Sequence, residues 1–152
     1  MEQDILQLIT AALGSLGFSL IFNVRGRALI LATLGGLLSW GAYLVFMALG
    51  TSDVVAYLLS SMLITIYSEL CARLCKAPAT VFLVPSAVPL FPGSSLYRTM
   101  VYAVNLQGMA FLETGTHTLL LAGAISAGII LVSTVMHAYD AARGRAPGQQ
   151  RS

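Results

Sequence analysis

The chain has 152 residues, of which 57% are hydrophobic and 9% charged, and its formal net charge is +2. A soluble domain carries about 25% charged residues, and a mean hydropathy of +0.84 lies far above that of such a domain. The composition excludes a soluble globular domain and points to an all-α integral membrane protein, expected to make about five transmembrane passages.

The amino terminus, MEQDILQLIT, puts acids where a secretory leader carries a basic region. No clear small-residue cleavage site follows the first apolar run, so a first span at about 4–23 is expected to stay in the mature protein. Runs free of Asp, Glu, Lys and Arg continue at 28–52, 54–68 and 114–139. They predict further spans at about 28–50, 54–75 and 114–139, each close to the length that crosses about 30 Å of hydrocarbon. Cys71 and Cys75 stand four apart near the end of the third span. With no His or carboxylate cluster beside them they read as small packing residues, and neither a metal site nor a cofactor is expected.

Basic residues fix the expected orientation. Arg25 and Arg27 follow the first span, Arg73 and Lys76 the third, and Arg143, Arg145 and Arg151 the last, whereas Glu2, Asp4, Asp53 and Glu113 mark the opposite ends. The amino terminus is then outside and the carboxyl terminus cytoplasmic. Spans three and five must both run from outside to inside, so the segment between Lys76 and Glu113 has to cross as well.

That crossing, placed at 79–112, contains LVPSAVPLFPGSSLYR at 83–98. Proline has no N–H to donate and its ring collides with the carbonyl four residues back, so Pro85, Pro89 and Pro92 cannot all lie in one regular helix. The fourth passage is therefore expected to be discontinuous. Gly93 is suited to the left-handed conformation that stops a helix, and Ser94 to capping a second half from Ser95. Non-helical backbone at membrane depth belongs where it lines a cavity or is buried in protein, and half-helix starts near the midplane face anionic substrate groups in transporters. Arg98 adds a full positive charge there, to be compensated by a carboxylate, water or a ligand, or by snorkelling if the segment is shallow. Glu69 has two candidate partners, Arg98 across the bundle and Arg73 one turn along its own helix, and a coupling or gating role is the alternative.

Small residues recur at close-packing intervals, Gly14 with Gly17, Ala32 with Gly36, and Gly123 with Ala127. His117 and His137 stand near opposite ends of the last span, about 30 Å apart, too far to share a site on one helix. Residues 1–141 are expected to form one helical membrane domain, and the tail at 142–152, ARGRAPGQQRS, a disordered basic cytoplasmic end with no role toward nucleic acid. The chain has no G-x-S-x-G, H-E-x-x-H or P-loop, so neither hydrolysis nor ATP binding of those kinds is expected. Five crossings with little buried charge make a thin shell for a polar path, so an oligomer is expected.

Val-Pro-Leu-Phe-Pro-Gly at 88–93 followed by Tyr97, together with FNVRGRAL at 22–29, resembles the small membrane subunit of the threonine/serine exporter (ThrE-like) family over nearly the whole chain. The resemblance implies a two-component exporter in a bacterial inner membrane, with a larger partner that carries a soluble amino-terminal domain and its own spans. It implies export of threonine and serine or of a dicarboxylate such as succinate, and no catalysis. Pro89, Pro92 and Gly93 match the family's signature positions, with Tyr97 close behind, and Asn23 with Arg27 belong to its loop motif. Together with the physical reading, this makes Pro89, Pro92, Gly93, Ser94, Ser95, Tyr97 and Arg98 the candidate substrate-binding set and Glu69 the candidate coupling residue. The alternative is a non-catalytic assembly subunit, with the substrate path wholly in the partner.

Overall fold

The computed structural model describes residues 2–142, all of whose regular structure is helical. In chain order the helices are α1 (Glu2–Ile21), α2 (Arg27–Ala48), α3 (Asp53–Cys75), α4 (Thr80–Ala87) with a single 3-10 turn at Val88–Leu90, α5 (Gly93–Val104) and α6 (Gly108–Ala142). Residues 143–152, and with them Arg143, Arg145, Arg151 and nearly all of the tail expected to be disordered, lie outside the described residues.

Four helices end in the same way. The N–H groups of Val24, Thr51, Ala77 and Gln107 each bond a carbonyl five residues back, on Ser19, Phe46, Ala72 and Tyr102. The residue before each of them is left-handed, with φ of 56° at Asn23, 81° at Gly50, 51° at Lys76 and 55° at Leu106. This is the Schellman stop, which satisfies carbonyls that would otherwise be orphaned and reverses the chain within about four residues. Asn23 suits the left-handed region because a short polar side chain bonds locally, and its Oδ1 accepts from Arg25 Nε at 2.9 Å.

Two ion pairs set the direction of the longest helices. Asp53, which opens α3, faces His117 of α6 at 3.5 Å, and Arg73, near the end of α3, meets Asp140 of α6 at 2.8 Å. The helices α3 and α6 therefore run parallel, and the chain between them must traverse. It does so as a broken span, with Thr80–Leu90 and Gly93–Val104 bent by 54°, less than a right angle, so both halves advance the same way. Four described helices are long and apolar enough to cross a membrane, and the bent pair makes a fifth passage. The fold is an all-α, multi-pass membrane architecture.

The boundaries of the last two passages differ from expectation. The broken passage ends at Val104 rather than Leu112, and α6 starts at Gly108 rather than at 114, which leaves Glu113 inside its second turn. A single exposed carboxylate does not stop a helix, whereas the left-handed Leu106 does. At 35 residues α6 is about 52 Å long, against about 34 Å for α3. Its first nine residues overshoot the Asp53 end with the second half of α5 alongside.

The helix α4 wedges among α1, α2 and α3, while the substantial contacts of α5 are with α6. Leu90, fully buried, plugs a cluster of Tyr57, Ile64, Leu121 and Ile125, and nearer the Arg73 end Phe82 packs on Ala32, Cys71 and Ala72. Closest approach falls at serine-on-glycine contacts. A Cβ added at Gly35 would strike Ser86, one at Gly36 would strike Ser15, and one at Gly128 would strike Ser61. Gly14, Gly17 and Gly123, singled out by spacing, have open space beside them, so only Gly36 of the expected close-packing glycines is one. Small residues let backbones approach where lipid supplies no hydrophobic drive.

Candidate functional site

Each proline has its own place in the broken crossing. Pro85 lies inside α4, where it withholds a donor from the Val81 carbonyl; next to it the buried Ser86 hydroxyl donates to the Ala32 carbonyl of α2 at 3.1 Å. Pro89 sits in the 3-10 turn and, with Gln7, Thr10, Gly14 and Trp40, lines an open cleft of about 250 Å³ against α1 and α2. The helical path stops at Phe91, which is extended, and Pro92 occupies the N-cap position of α5 with φ −76°.

Gly93 is not left-handed and Ser94 is not the cap, contrary to expectation. Gly93 is the first residue of α5, its N–H turned to the Phe91 carbonyl at 2.7 Å, and the Pro92 carbonyl accepts the first helical bond from Leu96 at 3.0 Å. Proline already fixes a φ compatible with entering a helix, so the second half begins one to two residues earlier than a serine cap would start it. No side chain caps this end.

Depth follows from the α5–α6 hairpin. Thr99 lies 3.4 Å from Thr118 and against Gly115, so Arg98 is level with His117 at the Asp53 end, and Gly93 lies about 7.5 Å further in. The break is therefore in the outer third of the bundle on the Asp53 side, not at the midplane. Arg98 is exposed at the level of the helix end and does not incur the cost of a central arginine. No residue of α5 is buried; Ser94 and Arg98, four apart, share one face of it, with Ser95 and Tyr97 flanking.

Glu69 lies at the opposite end. With Arg73, Lys76, the chain at 77–80, Ser133, His137 and Asp140 it lines a cavity of about 520 Å³ between α3, α4 and α6. Nineteen residues of α6, about 28 Å, separate Thr118 from His137, so Glu69 and Arg98 do not meet. Nor does Glu69 hold Arg73, whose guanidinium donates to Asp140 at 2.8 Å. Sequence reasoning missed Asp140 and the placement of His137 in this cavity. Parity already made α3 and α6 parallel, and matching their ends would have put Asp140 level with Arg73.

The Asp53 end is knitted more tightly. Tyr43 donates to Asp53 at 2.8 Å, His117 approaches the other carboxylate oxygen, and Trp40 donates to Gln7 at 3.2 Å. The rings of Trp40 and Tyr43, and of Tyr43 and Tyr57, lie 4.8 Å apart. One run of polar and aromatic contacts thus crosses α1, α2, α3 and α6. Asn23 serves as the stop of α1, and Arg27 is the exposed first residue of α2. Among the described residues no three of His, Cys, Asp or Glu come together to hold a metal ion.

No solved structure matches the chain. A family model described as "Threonine/Serine exporter, ThrE" matches residues 7–135, a stretch that takes in all of α2 to α5, most of α1 and α6, the Asn23 stop and the broken crossing. A match over that length, on a bundle whose fourth passage is interrupted by prolines, identifies the chain as a member of the threonine/serine exporter ThrE family.

Proposed function

We propose that this chain is the small membrane subunit of a two-component exporter that moves threonine, serine or a small dicarboxylate out of a bacterial cell. A larger subunit with a soluble amino-terminal domain completes the path. Arg25, Arg27, Arg73 and Lys76 gather at one end of the bundle, and Asp4, Asp53 and Glu113 at the other, which supports an Arg73 end in the cytoplasm and an outward amino terminus. The chain itself performs no chemistry on the solute.

One observation carries this reading. The crossing breaks within the bundle's outer third, and its second half leans on α6 while Ser94, Tyr97 and Arg98 stay exposed and Ser95 is half-buried. Backbone broken at that depth is stable where it lines a wet cavity or meets protein. The larger subunit supplies the facing wall, and the α5 start with Arg98 receives the solute carboxylate on the exit side.

Two substitutions test it. A Cβ at Gly93 meets nothing within 4 Å in this chain, so Gly93→Leu disturbs what lies outside the chain rather than its fold. Gly93→Leu and Arg98→Gln, each in a strain dependent on the complex for amino-acid or dicarboxylate efflux, are expected to lower efflux at least tenfold while co-purification with the larger subunit is unchanged. Normal assembly with undiminished efflux in both variants would make this chain a scaffold and leave the path in the partner.

A further inference from the structure

The cavity at the Arg73 end has a charge arrangement that the exit-side reading does not use. Two columns face each other across it. On α3 and its stop stand Glu69, Arg73 and Lys76, at i, i+4 and i+7; on α6 stand Ser133, His137 and Asp140 with the same spacing. Arg73 and Asp140 neutralise each other at 2.8 Å and tie the columns together. Among the described residues Glu69 and Lys76 have no ion-pair partner. Glu69 is half-buried and lies about 6 Å further into the span than Arg73. A carboxylate that far from the helix end is costly without a compensating cation.

We infer that this cavity binds a free α-amino acid as its zwitterion. Glu69 receives the ammonium, Lys76 the carboxylate, and His137 and Ser133 line the facing wall beside the side chain. The Arg73–Asp140 pair fixes the spacing of the walls without consuming the charges that meet the solute. One unpaired anion and one unpaired ammonium match a molecule carrying one charge of each sign, and about 520 Å³ falls within the usual range for small-molecule sites. A dicarboxylate would set its second carboxylate against Glu69, so the site selects amino acids over succinate-like solutes. The apolar cluster around Leu90, with Leu83 packed on it, lies between this pocket and the α5 start, which are separate stations about 20 Å apart along the bundle.

This inference rests on the transport reading, and the experiment separates the two. Equilibrium binding of radiolabelled L-threonine is measured on the full chain in lipid nanodiscs, with L-serine, succinate and ethanolamine as competitors. Serine should displace threonine, succinate should not, and ethanolamine should compete weakly. Glu69→Gln should lose at least tenfold in affinity, Lys76→Gln several-fold, and Glu69→Asp should fall between wild type and Glu69→Gln, while Gly123→Leu, with open space beside it and no place in either station, binds as wild type. Equal displacement by succinate, or Glu69→Gln binding like wild type, overturns the site. If Glu69→Gln fails to fold, Glu69→Asp and the competition series on wild type decide it. Glu69-dependent binding in a complex that exports nothing would keep the site and discard the exporter reading; Arg98-dependent efflux with Glu69-independent binding would do the reverse.

Discussion

The same two helices, α3 and α6, form both ends of the molecule, and the ends are built on different principles. At the Asp53 end a carboxylate, an imidazole, three aromatic rings and an amide connect four helices. At the Arg73 end one ion pair connects α3 and α6, the Tyr67 and Ser86 hydroxyls donate to the Leu31 and Ala32 carbonyls of α2, and beside the ion pair lies a cavity with a carboxylate and an ammonium that have no ion-pair partner among the described residues. Hydrogen bonds to charged groups, partly sheltered from water, hold more strongly than an ion pair at a helix end. The charged groups are thus engaged at the Asp53 end and in part left without an ion-pair partner at the Arg73 end. On the proposed reading, a solute entering beside Glu69 would meet the Leu90 cluster, and the proline-broken crossing would be the element that moves it.

The largest expected effect falls at the contact both ends share. A Cβ at Gly128 would lie against Ser61 and 2.8 Å from the Leu58 carbonyl, which is backbone and cannot rotate away. Gly128→Leu should separate α3 from α6 and destabilise the protein by about 3 kcal/mol, read as a lower unfolding temperature in detergent. Gly123→Leu, with nothing within 4 Å, is the control and should leave that temperature unchanged. If both variants melt alike, the two ends are not joined through this contact.

Next comes the Asp53 end. Asp53→Ala removes the acceptor of the Tyr43 hydroxyl and the partner of His117, a loss of about 2 kcal/mol for a hydrogen bond to a charged group. Ser60 is fully buried on α3 inside Tyr57, and its hydroxyl has no partner. In a background lacking Cys71 and Cys75, Ser60→Cys should resist thiol reagents, and adding Asp53→Ala should raise its labelling at least tenfold. Unchanged labelling would mean that the ladder does not keep this end shut.

Much of this contrast could be read from the chain, and the rest could not for identifiable reasons. The expected spans at 4–23, 28–50 and 54–75 end within two residues of α1, α2 and α3, and parity alone forced a crossing through the prolines. Register was harder. Whether Gly123 or Gly128 is the contact depends on which face of α6 meets α3, and an apolar stretch with no polar side shows no preferred face. The expected start of α6 at 114 rests on a charge, Glu113, whereas the helix is delimited by Leu106; nothing about leucine advertises a left-handed turn, which costs about 1–2 kcal/mol there. The candidate site divided along the same line. Local chemistry identified the broken segment, but the mutual positions of Glu69, Arg73 and Arg98 are tertiary: Asp140 takes Arg73, one of the two cations open to Glu69, and Arg98, the other, lies at the opposite end.

The smallest effect should come from the ion pair at the Arg73 end, which makes it the sharpest check on the contrast. The Arg73 and Asp140 side chains are 36% and 21% exposed, so water screens their attraction, and a double-mutant cycle through Arg73→Gln and Asp140→Asn should give a coupling of about 0.5 kcal/mol. Amino-acid binding should be more sensitive than stability, because the pair spaces the walls that carry Glu69 and His137. A coupling as large as the Asp53 effect would make the two ends equally clamped, and neither would then be the side from which solute enters. A small coupling joined to a several-fold loss of threonine affinity in the single variants would show that this pair sets the width of the cavity rather than the stability of the fold.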